Sequence, residues 1–421
     1  MRSDTQAEVR LLPLLALALA MTIGFANMGS FGTVQEAAKA ELGLSDYGLS
    51  IVQGVGAAVP LALLSIPVGA LVDRVNRVRL LILLSLVWIA GTLITAFAPS
   101  LPVLFVGRML TGIGTTGGLT AALSLGADWC APSRRGRALL IVSVGKTLGI
   151  ACGFALTGAL LTLVARTELL AIADWRQAHV ALACISVAFA IPLLLLREPE
   201  RKEVEAGSGA GFRVIAAELW SRRRFLAPLF IGQVAVVMAD NAAIVWSPAV
   251  LGRTYGLEPQ QFAGWLGALI LGTGFVGSLL GGVAADWGQK RFGRGGILAG
   301  AVAAAALGIP AALFPIAGSV PIFAATLGLL ALCGTITGLI TSAALTLLIP
   351  NELRGLCIGA FIAVAGVIGY GVAPALVIFV SRLIGGEAAL GSALAVVGVV
   401  VSIASVFAFR LAMKRAPSGP V

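Results

Sequence analysis

The chain has 421 residues, 59% of them hydrophobic and only 11% charged, where an ordinary soluble domain carries roughly 25% charged and 45–50% apolar residues. This excludes a water-soluble globular protein, which would leave apolar surface exposed over most of its area, and points to the bilayer as solvent. The net charge of +10 is spread as short clusters between apolar runs, which argues against a nucleic-acid partner and for loops under the positive-inside bias.

A spanning helix needs about 20 mostly apolar residues. Twelve such runs follow one another in the chain. The first half has 11–32, 49–72, 80–99, 101–126, 138–164 and 178–196; the second has 226–250, 263–285, 295–316, 320–347, 356–382 and 390–410. Continuous runs of this length exclude a β-barrel, whose strands are about 10 residues long and alternate in polarity. Arg2 and Ala18-Leu19-Ala20 give the first run some likeness to a signal peptide. Cleavage there would leave eleven helices and break the duplication described below, so the run is read as a helix. The predicted architecture is all-α and integral to the membrane, with two pseudo-symmetric six-helix bundles at 1–196 and 226–421. The polar stretch 197–225, rich in charge, Gly and Ser, is read as a cytoplasmic linker. With both termini cytoplasmic, 22 of the 29 Lys and Arg fall on inner segments and 5 (Lys39, Arg166, Arg176, Arg253 and Arg382) on outer loops, which sets the expected orientation in a bacterial inner membrane. The five cysteines are scattered and His179 is the single histidine; neither a metal nor another cofactor is expected.

Two loops recur. Gly69-x-x-x-Asp73-Arg74-x-x-Arg77 follows run 2, and Gly282-x-x-x-Asp286-Trp287-x-x-Lys290-Arg291 follows run 8. Pro132-Ser133-Arg134-Arg135-Gly136 follows run 4, and Pro350-Asn351-Glu352-Leu353-Arg354-Gly355 follows run 10. Two independent matches at similar offsets indicate duplication of a six-helix unit, and parallel repeats of this kind build one large transporter fold. These loops, with Arg108-x-x-x-Gly112-x-Gly114, resemble the major facilitator superfamily over essentially the whole chain. Within it the chain is most similar to the Spinster-like branch, through AELGLSDYGLSIVQG, ADWCAPSRRGRAL, WRQAHVALACISV, LREPER and VWSPAVLGRTYGL. The resemblance implies a transporter, with lysolipids and sphingolipids as cargo of the eukaryotic members. The chain departs from that pattern at two places. Thr115 stands where an acid is usual in run 4, and Asn27, Ser30 and Phe31 stand where run 1 usually has an Asp-Arg pair.

Charges at membrane depth are costly and each calls for an explanation. Three stand out: Arg108 in run 4, Lys146 in run 5 and Asp240 in run 7. All three are expected to face one central cavity. Arg108 reads either as an anion-holding charge, with Thr111, Gly112 and Thr115 following on its helix face, or as a side chain snorkelling to the headgroups. Lys146 lies among Gly145, Gly149 and Gly153, which describe a close helix contact; a compact ammonium there binds an anion or exchanges a proton. Asp240 must be protonated or paired to sit in low dielectric, which reads either as proton coupling or as a fixed ion pair. Asn27, Gln53 and Asn241 are further polar-lining candidates. The resemblance implies a cytoplasmic latch, in which Asp73, Arg74 and Asp286 gate access and Arg77 pairs with Asp128 at the end of run 4. The glycines of run 5 and those of run 11 (Gly366, Gly369, Gly371) occupy equivalent places and read as packing residues.

The expected function is secondary active transport of a small or amphiphilic organic anion by a rocker-switch, coupled to protons, in a monomer. The alternative is a lysolipid or multidrug efflux carrier with a mainly hydrophobic cavity. No enzyme constellation and no nucleotide-binding loop is visible in the sequence.

Overall fold

The computed structural model describes residues 11–130, 135–167, 171–201, 220–349 and 351–417. The centre of the predicted linker (202–219), Pro132-Ser133-Arg134 and Pro350 lie outside them. Helical stretches fall on all twelve apolar runs, as required where no water is present to satisfy backbone polar groups. The first half holds α1 (Leu11–Leu42), α2 (Asp46–Ser50) and α3 (Gly56–Arg74) joined by a π-helical turn at Ile51–Val55, α4 (Arg77–Ala96), α5 (Leu101–Asp128), α6 (Arg135–Thr167) and α7 (Asp174–Ala190). The second half holds α8 (Arg223–Tyr255), α9 (Pro259–Phe292), α10 (Ala299–Ala311), α11 (Val320–Leu348), α12 (Asn351–Val364) and α13 (Ala373–Ile384) joined by a π-helical turn at Ala365–Val372, and α14 (Leu390–Lys414). Among the described residues, ten helical stretches are long and apolar enough to cross a membrane.

Helix ends differ from the apolar runs. Helix α1 continues ten residues past the predicted end, because Gln35, Glu36, Lys39 and Glu41 end the apolar run while remaining good helix formers. Lys39, placed on an outer loop from sequence, therefore sits in the last turn of α1 and pairs with Asp46 at 2.8 Å. The repeated motifs are also less loop-like than predicted. Asp73 and Arg74 close α3, and only Val75 and Asn76 separate it from α4, where the Asn76 side chain accepts the Arg79 N–H at 2.9 Å as a helix cap. Asp286 through Arg291 lie wholly within α9, and the turn comes at Gly293, whose φ of 74° suits glycine.

The chain forms two compact units: Met1–Val52, Val59–Glu205 and Glu258–Ala268 in one; Gln53–Ala58, Ala206–Leu257 and Leu269–Val421 in the other. In the first, α1 packs along α6 and α4 along α5. Small residues set both contacts, as expected where helices have no hydrophobic drive to associate. A Cβ on Gly145 would lie 2.4 Å from the Ala18 carbonyl, one on Gly149 2.5 Å from that of Thr22, and one on Gly153 2.9 Å from that of Ala26. These carbonyls climb α1 four residues at a time, so the glycine ladder follows one helix face. Between α4 and α5, a Cβ on Gly91 would meet the Gly107 carbonyl at 2.6 Å. In the second unit α8 packs on α14 and α10 on α11, around a core that includes Phe225, Leu229, Ile340 and Phe409.

Candidate functional site

Arg108 is buried within the first unit. Its guanidinium reaches across to α1, donating to the Asn27 carbonyl at 3.0 Å and to the Met28 carbonyl, with its Cζ 5.2 Å from the centre of the Phe31 ring. The Nε–H is buried without a hydrogen-bond partner, and among the described residues no carboxylate pairs with Arg108. The cation is thus held by two carbonyl dipoles and one ring face, without an anionic partner among the described residues.

The residues around it are fixed in place. Asn27 is fully buried: its amide donates to the Ile23 carbonyl and the Ser186 hydroxyl, both at 2.7 Å, and its side-chain oxygen accepts from Thr92 at 2.8 Å. Thr115 is likewise fully buried and donates to the Thr111 and Gly24 carbonyls. Asn27, a polar-lining candidate from sequence, and Thr115, on the helix face of Arg108, thus tie α1 to α4, α5 and α7 through these hydrogen bonds. Ser30 donates to the Asn27 carbonyl at 2.9 Å and lies 3.4 Å from His179 Nε2. His179 Nδ1 is 2.9 Å from the Trp175 carbonyl, which only accepts, so Nδ1 carries the proton and the one Ser30 hydroxyl proton is shared between the Asn27 carbonyl and Nε2. A histidine that the sequence offered only as an argument against metal binding therefore belongs to the shell of Arg108.

Lys146 is half-buried on α6, with its ammonium 5.6 Å from the centre of the Phe25 ring; no carboxylate pairs with it among the described residues. In the second unit, Asp240 on α8 has one carboxylate oxygen, Oδ1, buried without a hydrogen-bond partner. The other lies against α11, where a Cβ built on Gly334 would sit 1.7 Å from Oδ2. Gly334 thus makes the room that Asp240 occupies. Asn241 donates to the Tyr370 carbonyl at 3.3 Å, inside the π turn that interrupts the eleventh stretch. Gln53 sits in the other π turn, at Ile51–Val55. Such turns recur at functional positions in helices, and no periodicity in the sequence announced either one.

At the other end of the first unit, Arg77 is 2% exposed and serves four acceptors. It pairs with Asp128 at 2.5 Å and with Glu198 at 2.7 Å, and donates further to Ser124 at 3.1 Å and to the Pro199 carbonyl at 3.2 Å. Glu198 also accepts the Val78 N–H at 3.0 Å, serving as an anion at the start of α4. Arg201 donates to the carbonyls of Val72, Asp73 and Val75, covering the last turn of α3. Arg197–Arg201, predicted as the start of a linker, is therefore bound to the α3–α4 turn, and Glu198 is a partner that sequence reasoning missed. Only its place in the LREPER stretch hinted at it. The side chains of Asp73, Arg74 and Asp286 are exposed. Arg176, counted with the outer loops, lies instead in the first turn of α7, where it bonds Glu41 and the carbonyls of Ala96 and Ala98, joining the ends of α1 and α4.

The model of the Major Facilitator Superfamily matches residues 16–374. A protein named "Probable sulfoacetate transporter SauU" from Cupriavidus necator is 29% identical over 276 residues, which cover 62% of this chain and 61% of that protein. The gentisate transporter of Corynebacterium glutamicum is 28% identical over 360 residues, 82% of this chain and 76% of that one. Among solved structures, a bacterial homolog to the human lysosomal transporter Spinster, in an inward-facing and unoccupied conformation, superposes with a TM-score of 0.81 at 23% identity, covering 98% of this chain and 99% of that one. The chain belongs to the Major Facilitator Superfamily and is a multi-pass membrane transporter, not an enzyme.

Proposed function

We propose that the protein carries a small organic anion, a carboxylate or sulfonate, and that Arg108 is the group that holds it. The observation behind this reading is a buried guanidinium bound by carbonyls and a ring face, with which no carboxylate pairs among the described residues. A buried cation left that way is costly, and an anionic cargo group offers it the planar, charge-assisted pair that arginine favours. Lys146, also without a carboxylate partner among the described residues, adds a second positive charge on the same unit. Asn27 and Thr115 are positioning residues that fix α1 against α4 and α5. Asp240, with one oxygen lacking a partner, is the proton-coupling group, and Arg77 with Asp128, Asp73, Arg74 and Asp286 acts in gating at the cytoplasmic side. The relatives that handle sulfoacetate and gentisate, both organic anions, support the same cargo class.

The test is uptake by proteoliposomes of a panel of short carboxylates and sulfonates, with and without an imposed pH gradient. Arg108→Gln is expected to cut uptake at least about tenfold, since a lost charge-assisted bond is worth roughly 1.5–3 kcal/mol. Arg108→Lys should recover part of it, and Asp240→Asn should remove the response to the pH gradient. Unchanged uptake by Arg108→Gln would overturn the reading and favour a carrier with a mainly hydrophobic cavity.

A further inference from the structure

We propose that the second unit carries a binding site for an anionic phospholipid at the junction of α9, α10 and α14, separate from any cargo site. A cavity of about 490 Å³ lies there, within the roughly 300–1,000 Å³ range of small-ligand pockets. Its wall holds two cations, Arg294 and Lys414, beside the apolar Phe292, Met413, Ala416 and Pro417, and among the described residues no acidic side chain lines it. Glycine makes the shape possible. Gly293 turns the chain at positive φ, and a Cβ on Gly295 would lie 2.6 Å from the Met413 carbonyl, so only glycine lets this turn rest on the end of α14. Arg294 is braced by the Leu347 carbonyl at 3.2 Å, which holds its guanidinium at the end of α11.

A free phosphate would need only the two cations; the surface leading away from the pocket favours a lipid. Val396, Val400, Ile403, Phe407 and Leu411 are all exposed on α14. Their spacing of three and four residues puts them on one helix face, about 22 Å long at 1.5 Å per residue. Lys414 follows Leu411 by three residues and Phe407 by seven, so it stands at the foot of the same stripe. A headgroup phosphate between Arg294 and Lys414, with an acyl chain along α14, satisfies both features at once. Basic pockets at the ends of membrane helices are the recognised setting for such lipids.

The test uses the purified full chain in detergent, with phosphatidylglycerol, phosphatidylethanolamine or inorganic phosphate added, read by native mass spectrometry and by thermal stability. Phosphatidylglycerol should bind and stabilise, whereas the other two should not. Lys414→Gln, and the double variant with Arg294→Gln, should weaken it about fivefold for each charge removed, from ~1 kcal/mol per basic residue at an anionic surface. Arg294→Lys with Lys414→Arg should restore binding. Equal retention of the zwitterionic lipid, full stabilisation by inorganic phosphate alone, or undiminished binding by Lys414→Gln would each overturn the proposal; Lys414→Gln decides the matter even where the Arg294 variants fold poorly.

Discussion

Replacing Arg77 is the sharpest probe of the structure described above. The side chain is 2% exposed and spans two carboxylates, a hydroxyl and a carbonyl. Arg77→Ala would strand Asp128 and Glu198 facing each other with no cation between them. Removing one partner of a buried ion pair costs about 3–5 kcal/mol. Because the Asp128 and Glu198 side chains are 14% and 23% exposed, water offsets part of this and the lower end applies. For a unit of this size, about 3 kcal/mol corresponds to a fall of roughly 6–12 °C in Tm. Thermal unfolding of membrane proteins in detergent is commonly irreversible, so apparent Tm is compared at one scan rate, by fluorescence-detected size exclusion after heating.

Arg77→Lys separates charge from geometry. The guanidinium addresses Glu198 through Nε and Asp128 through Nη1, on two different edges, whereas a lysine offers one point charge. It should recover less than half of the lost stability. Glu198→Gln should cost about 1–2 kcal/mol, since its amide oxygen accepts more weakly than a carboxylate. Full recovery by Arg77→Lys, or an Arg77→Ala protein within about 2 °C of the parent, would refute the view that residues 197–201 are tied to the α3–α4 turn through this side chain.

Three further outcomes follow from the packing. Gly149→Leu would force a Cβ to within 2.5 Å of the Thr22 carbonyl and should abolish the monodisperse folded peak on size exclusion, while Gly264→Leu, with nothing within 4 Å, should leave it unchanged. Gly334→Ala puts a methyl where Asp240 Oδ2 now lies; it should reproduce the transport phenotype of Asp240→Asn, which proteoliposome uptake under a pH gradient measures. Arg176→Gln would leave the Ala96 and Ala98 carbonyls and Glu41 without their shared donor. It should lower apparent Tm by several degrees, at roughly 1–3 kcal/mol for each buried group left unsatisfied.

Spanning helices were legible in the sequence because the bilayer sets a length that apolar runs must meet, and all twelve runs became helical stretches. Their ends were less so. An apolar run stops at the first charges, but a helix such as α1 stops only where its backbone is capped or turned, ten residues later. The duplicated Asp motifs were likewise visible as a repeat, yet their sequence gave no sign that Asp286 would stay helical up to a glycine turn seven residues on. Glu198 lies 121 positions from Arg77, a separation at which no periodicity can signal contact. The π turns escaped for a related reason: one extra residue per turn leaves composition unchanged, and only the backbone reveals it.

The positions at which the sequence departs from the Spinster-like pattern it resembles bear on one another once the structure is considered. Asn27, Ser30, Phe31 and Thr115 are separate oddities along the sequence. In the fold, Asn27 offers its carbonyl to Arg108, Ser30 donates to that same carbonyl, Phe31 lies under the guanidinium, and Thr115 ties the Arg108 helix to α1 through the Gly24 carbonyl. On the proposed reading, an acid at position 27 or 115 would add a negative charge close to the helix contacts that hold Arg108, and it would compete with an anionic cargo for the guanidinium. With neutral residues at both, no carboxylate pairs with the guanidinium among the described residues, and the proposed anion would meet no competitor there. The prediction is directional: Thr115→Glu should give Arg108 a built-in partner and weaken anion uptake. If that variant instead transports anions as well as the parent, or better, the unmatched charge of Arg108 is not what selects the cargo.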